Sequence, residues 1–275
     1  MGSLQDWLHL LTRWFHVVLG VAWLGQTWLF AWMDRSLEPA PAGEAGAGGK
    51  PIEGRLWMVH SGGFYRVDKQ LVVPAEMPGT LHWFKWEAAL TWFSGLLLLV
   101  LVYYTGGAVV EYDSGVSAAR GTAIGLGALV AGWLVYDLLW LSPLGRREWL
   151  GASISFALLV GATWLLTGWL SARAAYLHAG ALMGTIMTAN VWMRILPAQR
   201  RLVASVRAGT PADPALAARA KQRSKHNTYM SIPVIFLMIS SHFPVNTYGH
   251  RLNWLILGAL VLLGWAGRKV MTMVK

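Results

Sequence analysis

Apolar residues run through this chain in stretches too long for a soluble helix, and the few polar positions inside those stretches carry the information. Four stretches are long and apolar enough to cross a bilayer, and two or three more become so once their few polar residues are accepted. A hydrocarbon core takes roughly 20 apolar residues in a helix. On that scale the pattern predicts spans at 11–33, 83–104, 122–141, 150–170, 174–196, 227–243 and 252–270. The sixth is short and contains Pro233, which a membrane helix tolerates where neighbours satisfy the freed carbonyl. The expected fold is therefore all-α, a polytopic membrane helical bundle of about seven transmembrane helices, in one domain over 1–275.

The connections give the direction. Nineteen Lys and Arg fall after spans one, three, five and seven, against four on the opposite side, Arg13, Arg120, Arg173 and Arg251. By the positive-inside rule the N-terminus lies outside and the C-terminus in the cytoplasm. Two cytoplasmic-side connections are long. The first opens with a Pro/Ala/Gly-rich tract at 39–51, expected to be a flexible linker. It continues as an amphipathic segment, 52–78, in which Trp57, Phe64, Tyr65 and Val67 alternate with His60, Arg66, Asp68 and Lys69. That segment is expected to lie on the membrane face or fold back into it. The second, 197–225, is basic and Ala-rich, and reads as a helical hairpin at the anionic inner leaflet.

Composition narrows the chemistry. Charged residues make up 13% of the chain and hydrophobic residues 55%, with 17 Trp; soluble proteins carry about 25% charged residues, so lipid is the solvent. The net charge of +10 does not imply nucleic acid, because the basic residues sit between spans. The absence of cysteine excludes disulfides, thiolate-held iron–sulfur clusters and covalently attached haem, and leaves non-covalent haem on histidines open. The first apolar run continues to Met33, too long for a cleaved signal peptide, so the first span is expected to be retained.

Histidines occupy the spans or their edges at positions 16, 82, 178, 226 and 242. An ionisable group there is costly unless it has a task. His16 and His178 each fall about one turn below the outer surface, nearly level, and His242 lies on the same side. They are candidate haem ligands, with Arg13 one turn from His16 and placed for a haem propionate. The opposite end gathers His82, Lys85 and Glu87, Asp137, Asn190 and Arg194, and His226 and Asn227, with His60 and Glu76 on the connection. Carboxylates and cations converging from four spans read as a site. The plainer readings are interfacial anchoring for Lys85, Arg194 and His226, a structural Glu87–Asp137 pair, and interface-belt tryptophans, although Trp83 or Trp86 is suited to stacking on a planar ligand.

These residues carry a family resemblance. The run from His178 through Asn190 and Arg194 to Pro197, the string Arg223-Ser-Lys-His226-Asn227, His60-Ser-Gly-Gly-Phe-Tyr and Leu81-His82-Trp-Phe-Lys85-Trp-Glu87 resemble the bacterial membrane-bound urate oxidase (urate hydroxylase) family, in its N-terminal membrane domain. Members typically continue into a periplasmic cytochrome c domain. This sequence has no Cys-x-x-Cys-His, so the electron acceptor is expected to be a separate cytochrome c, a quinone or a partner redox subunit. The resemblance implies a multi-pass protein of the bacterial inner membrane that oxidises urate at its cytoplasmic side. Asn190, Arg194, Asn227 and Trp86 are then candidates for binding substrate, and Glu87, Asp137, His60 and Lys85 for moving protons. One or two haem b groups would be held by histidine pairs, His16 with His178 foremost, His242 as substitute, and His82 and His226 at a second haem or in the substrate site. A different class of protein stays open, a non-catalytic cytochrome b-type anchor passing electrons between a partner and quinone.

Overall fold

The computed structural model describes residues 3–41, 43–46, 49, 52–70, 77–211 and 213–273. Three of its helices begin at a serine cap, a few residues earlier than apolar runs alone predict. Helix α1 covers Leu4–Ser36 and opens with Ser3 and Asp6 in a reciprocal capping box. Helix α2 covers Trp86–Leu98 and ends in a π-helical turn, Leu99–Tyr104. Helix α3, Ala118–Leu141, and helix α5, Ala172–Ala189, are each capped by a serine, Ser117 and Ser171. Helix α4 is Glu148–Thr167. A second π turn, Asn190–Ile195, carries α5 on into α6, Leu196–Arg207. Helix α7, Pro214–Ile239, contains Pro233, and α8 is Asn253–Met271. The basic connection 197–225 is thus made by α6 and the first turns of α7.

Five of these helices are long and apolar enough to cross a membrane: α1, α2 with its π turn, α3, α4 and α8. Helices α5 and α7 are more polar, and the packing explains why. Helix α5 touches α2, α3, α4 and α7, and α7 touches α1, α5 and α8. A helix enclosed by other helices does not need a lipid-soluble surface. Small residues let its neighbours come close: the α5 sequence ARAAYLHAGALMGTIMTA buries Ala174, Ala175, Ala179 and Gly180. On α8, a side chain at Gly264 would lie 2.9 Å from the Pro233 ring, so glycine there accommodates the proline of α7.

One element departs from the all-α expectation. Residues Ile52–His60 and Gly63–Gln70 form an antiparallel hairpin, β1–β2, pairing Trp57 with Arg66 and Val59 with Phe64. The alternation seen in the sequence has period two, which is a strand signal and not a helical one. Ser61 and Gly62 both adopt positive φ, 51° and 74°, as a two-residue primed turn requires. The hairpin is tied to its surroundings by charge. Arg55 pairs with Asp68 at 2.7 Å and with Glu44, and Lys69 reaches Asp34 at the end of α1 at 2.9 Å. Part of the 39–51 tract, and Glu76, lie outside the described residues.

Candidate functional site

The polar residues form a dense set at the basic end and a sparse one along α1, α2 and α5. His16 enters the α1–α2 interface partway along both helices. Its Nδ1 meets the Thr91 carbonyl and the Ser94 hydroxyl, each at 3.0 Å. Gly95 makes room, since a Cβ there would stand 3.0 Å from the imidazole. His178 is fully buried on α5, with Nδ1 2.7 Å from the Ala174 carbonyl and Nε2 2.9 Å from the Tyr104 hydroxyl. A Cβ on Gly125 of α3 would fall 2.4 Å from that Nε2.

A carbonyl oxygen only accepts, so Nδ1 carries the proton in both rings and Nε2 keeps its lone pair. That tautomer, fixed by a backbone acceptor, is the one a metal-bound imidazole needs. Both imidazoles thus have the tautomer an iron ligand needs, but Gly125 and the Tyr104 hydroxyl close on the Nε2 of His178, so a ligand there would have to displace Tyr104. The two rings do not form the level pair that their positions along the helices suggested: His16 meets α2 at Thr91 and Ser94, whereas His178 meets the same element at Tyr104, ten residues beyond Ser94. Ten helical residues rise about 15 Å, and a depth counted from Leu11 misplaces His16 because α1 already begins at Leu4. Arg13 is exposed, and His242 is exposed in the short turn that ends α7. No group of three or more His, Asp or Glu side chains suited to a metal ion occurs among the described residues.

The basic end is denser. Asp137 of α3, 5% exposed, receives two hydrogen bonds from Arg194 on the second π turn, one of them Nε to Oδ1 at 2.9 Å. Arg223 of α7 donates to the same Oδ1 at 3.0 Å, and its guanidinium lies 4.9 Å over the Tyr136 ring. Tyr136 stands 2.8 Å from His226 Nδ1 and accepts from Asn190 at 3.1 Å; Asn190 also donates to Asn227, which donates on to the Met187 carbonyl. The chain from Asn190 through Tyr136 to His226 runs in one direction when the His226 proton is on Nε2. His226 packs on Trp140, ring centroids 4.0 Å apart.

The π turn that carries Asn190 and Arg194 has a local cause. Pro197 has no N–H to return to the carbonyl four residues back, and its ring crowds that carbonyl, so the helix widens just before it.

Sequence reasoning brought Asp137, Asn190, Arg194, His226 and Asn227 together, and the structure places them in one cluster. It places four others elsewhere. Lys85, which precedes α2, lies 5.5 Å from the Trp86 ring and 5.8 Å from Trp192, and those rings meet edge to face. Glu87 accepts from Gln26 at 3.3 Å. His60 ends β1 beside Ser61, and His82 is exposed ahead of α2. Asp137, as a carboxylate shared by two guanidiniums, is a counter-ion and not a free base. Glu87, whose one partner here is an amide, is the less committed of the two carboxylates.

Arg223, Tyr136 and Tyr104 were missed. Arg223 and Asn227 are four residues apart, hence on one face of α7, and that spacing was the available signal. Beside the cluster lies a cavity of about 220 Å³ between α3, α6 and α7, lined by Arg194, Arg201, Arg219 and Arg223 with Trp140 and Gln222. Arg223 is 2% exposed and its Nη1 has no hydrogen-bond partner among the described residues. Leaving such a donor unpaired costs about 1–3 kcal/mol, more for a charged group.

The profile of the urate oxidase N-terminal family matches residues 2–275. The chain belongs to that family. Comparisons with curated proteins and with solved structures give no match. Within this member of the urate oxidase N-terminal family, the matched region takes in both histidines and the whole arginine–aspartate cluster.

Proposed function

We propose that the chain is a membrane-embedded oxidoreductase that oxidises urate, crossing the bacterial inner membrane seven times with its N-terminus outside and its basic end in the cytoplasm. Family membership over residues 2–275 is the observation that carries this reading. Five apolar helices support the membrane, and the charge asymmetry of the connections supports the direction. Ring hydroxylation of urate with water as oxygen source releases two electrons and two protons. Haem b would supply the electron store that no side chain here offers, with the Nε2 of His16 or of His178 as an iron ligand. A separate cytochrome c, a quinone or a redox subunit would accept the electrons.

The chain's own residues would do the rest. Glu87, which accepts a hydrogen bond from the Gln26 amide, would take a proton. Arg194 and Arg223, held by Asp137, give the cytoplasmic-side cavity a fixed positive wall. The polar network of Asn190, Tyr136, His226 and Asn227 fixes how α3, α5 and α7 meet behind it.

The test begins with purified protein. A Soret band that dithionite shifts, loss of haem from His16→Ala or His178→Ala, and urate consumption with a supplied acceptor are the expected results. A colourless protein that still consumes urate would remove the haem. A haem protein that consumes no urate with any acceptor would leave the cytochrome b-type anchor as the reading.

A further inference from the structure

The basic end holds more positive charge than its carboxylates answer. Arg194 and Arg223 share the single carboxylate of Asp137, and arginine does not give up its proton in a protein. Arg223 is buried, with Nη1 unpartnered, and lines a cavity that Arg219, one turn away on α7, and Arg201 of α6 also line. Guanidiniums converging on a small concave space, one of them already desolvated, form a receptor for a compact anion. At about 220 Å³ the cavity suits a small organic anion and falls below the range of drug-sized sites.

We propose that this cavity, between the ends of α3, α6 and α7, is where the urate anion binds, held by Arg201, Arg219 and the free Nη1 of Arg223. The proposal rests on the urate-oxidising reading and moves the substrate away from Asn190, Asn227 and Trp86. Asn190 and Asn227 are spent on their own hydrogen bonds, and Trp86 does not line the cavity. Arg194 and Arg223 serve two functions, as partners of Asp137 and as wall of the site. Arg201 and Arg219 are exposed and free of ion pairs among the described residues, so they can be replaced without unburying a charge.

The experiment compares wild type with Arg201→Gln, Arg219→Gln, the double variant, and Arg207→Gln, which changes the same charge outside the cavity. Each single cavity variant should raise the KM for urate about tenfold, with kcat and haem content unchanged, and Arg207→Gln should leave KM alone. An unchanged KM in the double variant, with wild type active, overturns the proposal. If wild type turns over no urate, the oxidase reading fails, and equilibrium dialysis with labelled urate still decides the cavity. Binding lost in the double variant supports the proposal, and binding equal in all proteins, or in none, overturns it. An anionic phospholipid found by mass spectrometry in wild type and missing from the double variant, with urate binding unaltered, overturns it in favour of a lipid headgroup.

Discussion

At Gly125 the missing side chain lets the His178 ring close on the Tyr104 hydroxyl. Gly125→Ala would place a carbon 2.4 Å from Nε2, between two packed helices. Overpacking of that kind costs about 1–3 kcal/mol, against a helix-propensity gain of up to about 1 kcal/mol for alanine. The clash wins, so Gly125→Ala is expected to lower the midpoint of thermal unfolding. Gly127→Ala, which meets nothing within 4 Å, should not lower it. Histidines and carboxylates in apolar runs are visible in sequence because their cost is visible. The partners that settle their roles are not. Tyr104 and Gly125 read as ordinary span residues, and Arg223 reads as one more cytoplasmic cation until folding buries it against Asp137.

Apolar length located α1, α2, α3, α4 and α8, because contact with lipid demands it. It missed features that rest on hydrogen bonding: capped first turns, the two π turns and the β1–β2 hairpin. The hairpin offers a test outside the membrane. The hydrogen bond from Arg55 holds the Asp68 carboxyl below the ordinary aspartate value of 3.8. A depressed pKa contributes stability that is fully present above the unfolded value and is lost as pH falls through the folded one. Amide protection factors across β1 and β2 should therefore fall on acidification below about pH 4. Asp68→Asn should lower them at neutral pH and flatten the dependence. Protection that is unchanged in both cases would show that the ion pair does not hold the hairpin.

The whole molecule is a polar centre inside an apolar ring, with α5 at the centre and α7 beside it. The proposed seven-crossing direction can be read directly, because the chain has no cysteine to blur the signal. A cysteine at Asp113, between α2 and α3, should react with an impermeant thiol reagent in intact cells. One at Ala208, after α6, should react only after the membrane is opened. The reverse pattern would invert the bundle. The same distribution of polarity bears on biogenesis. A segment as polar as α5 or α7 partitions weakly into lipid on its own, yet each stands next in sequence to an apolar helix it packs against, α4 and α8. Insertion as two such couples lets a greasy escort carry a reluctant partner across, so the core is assembled in pairs before it is closed.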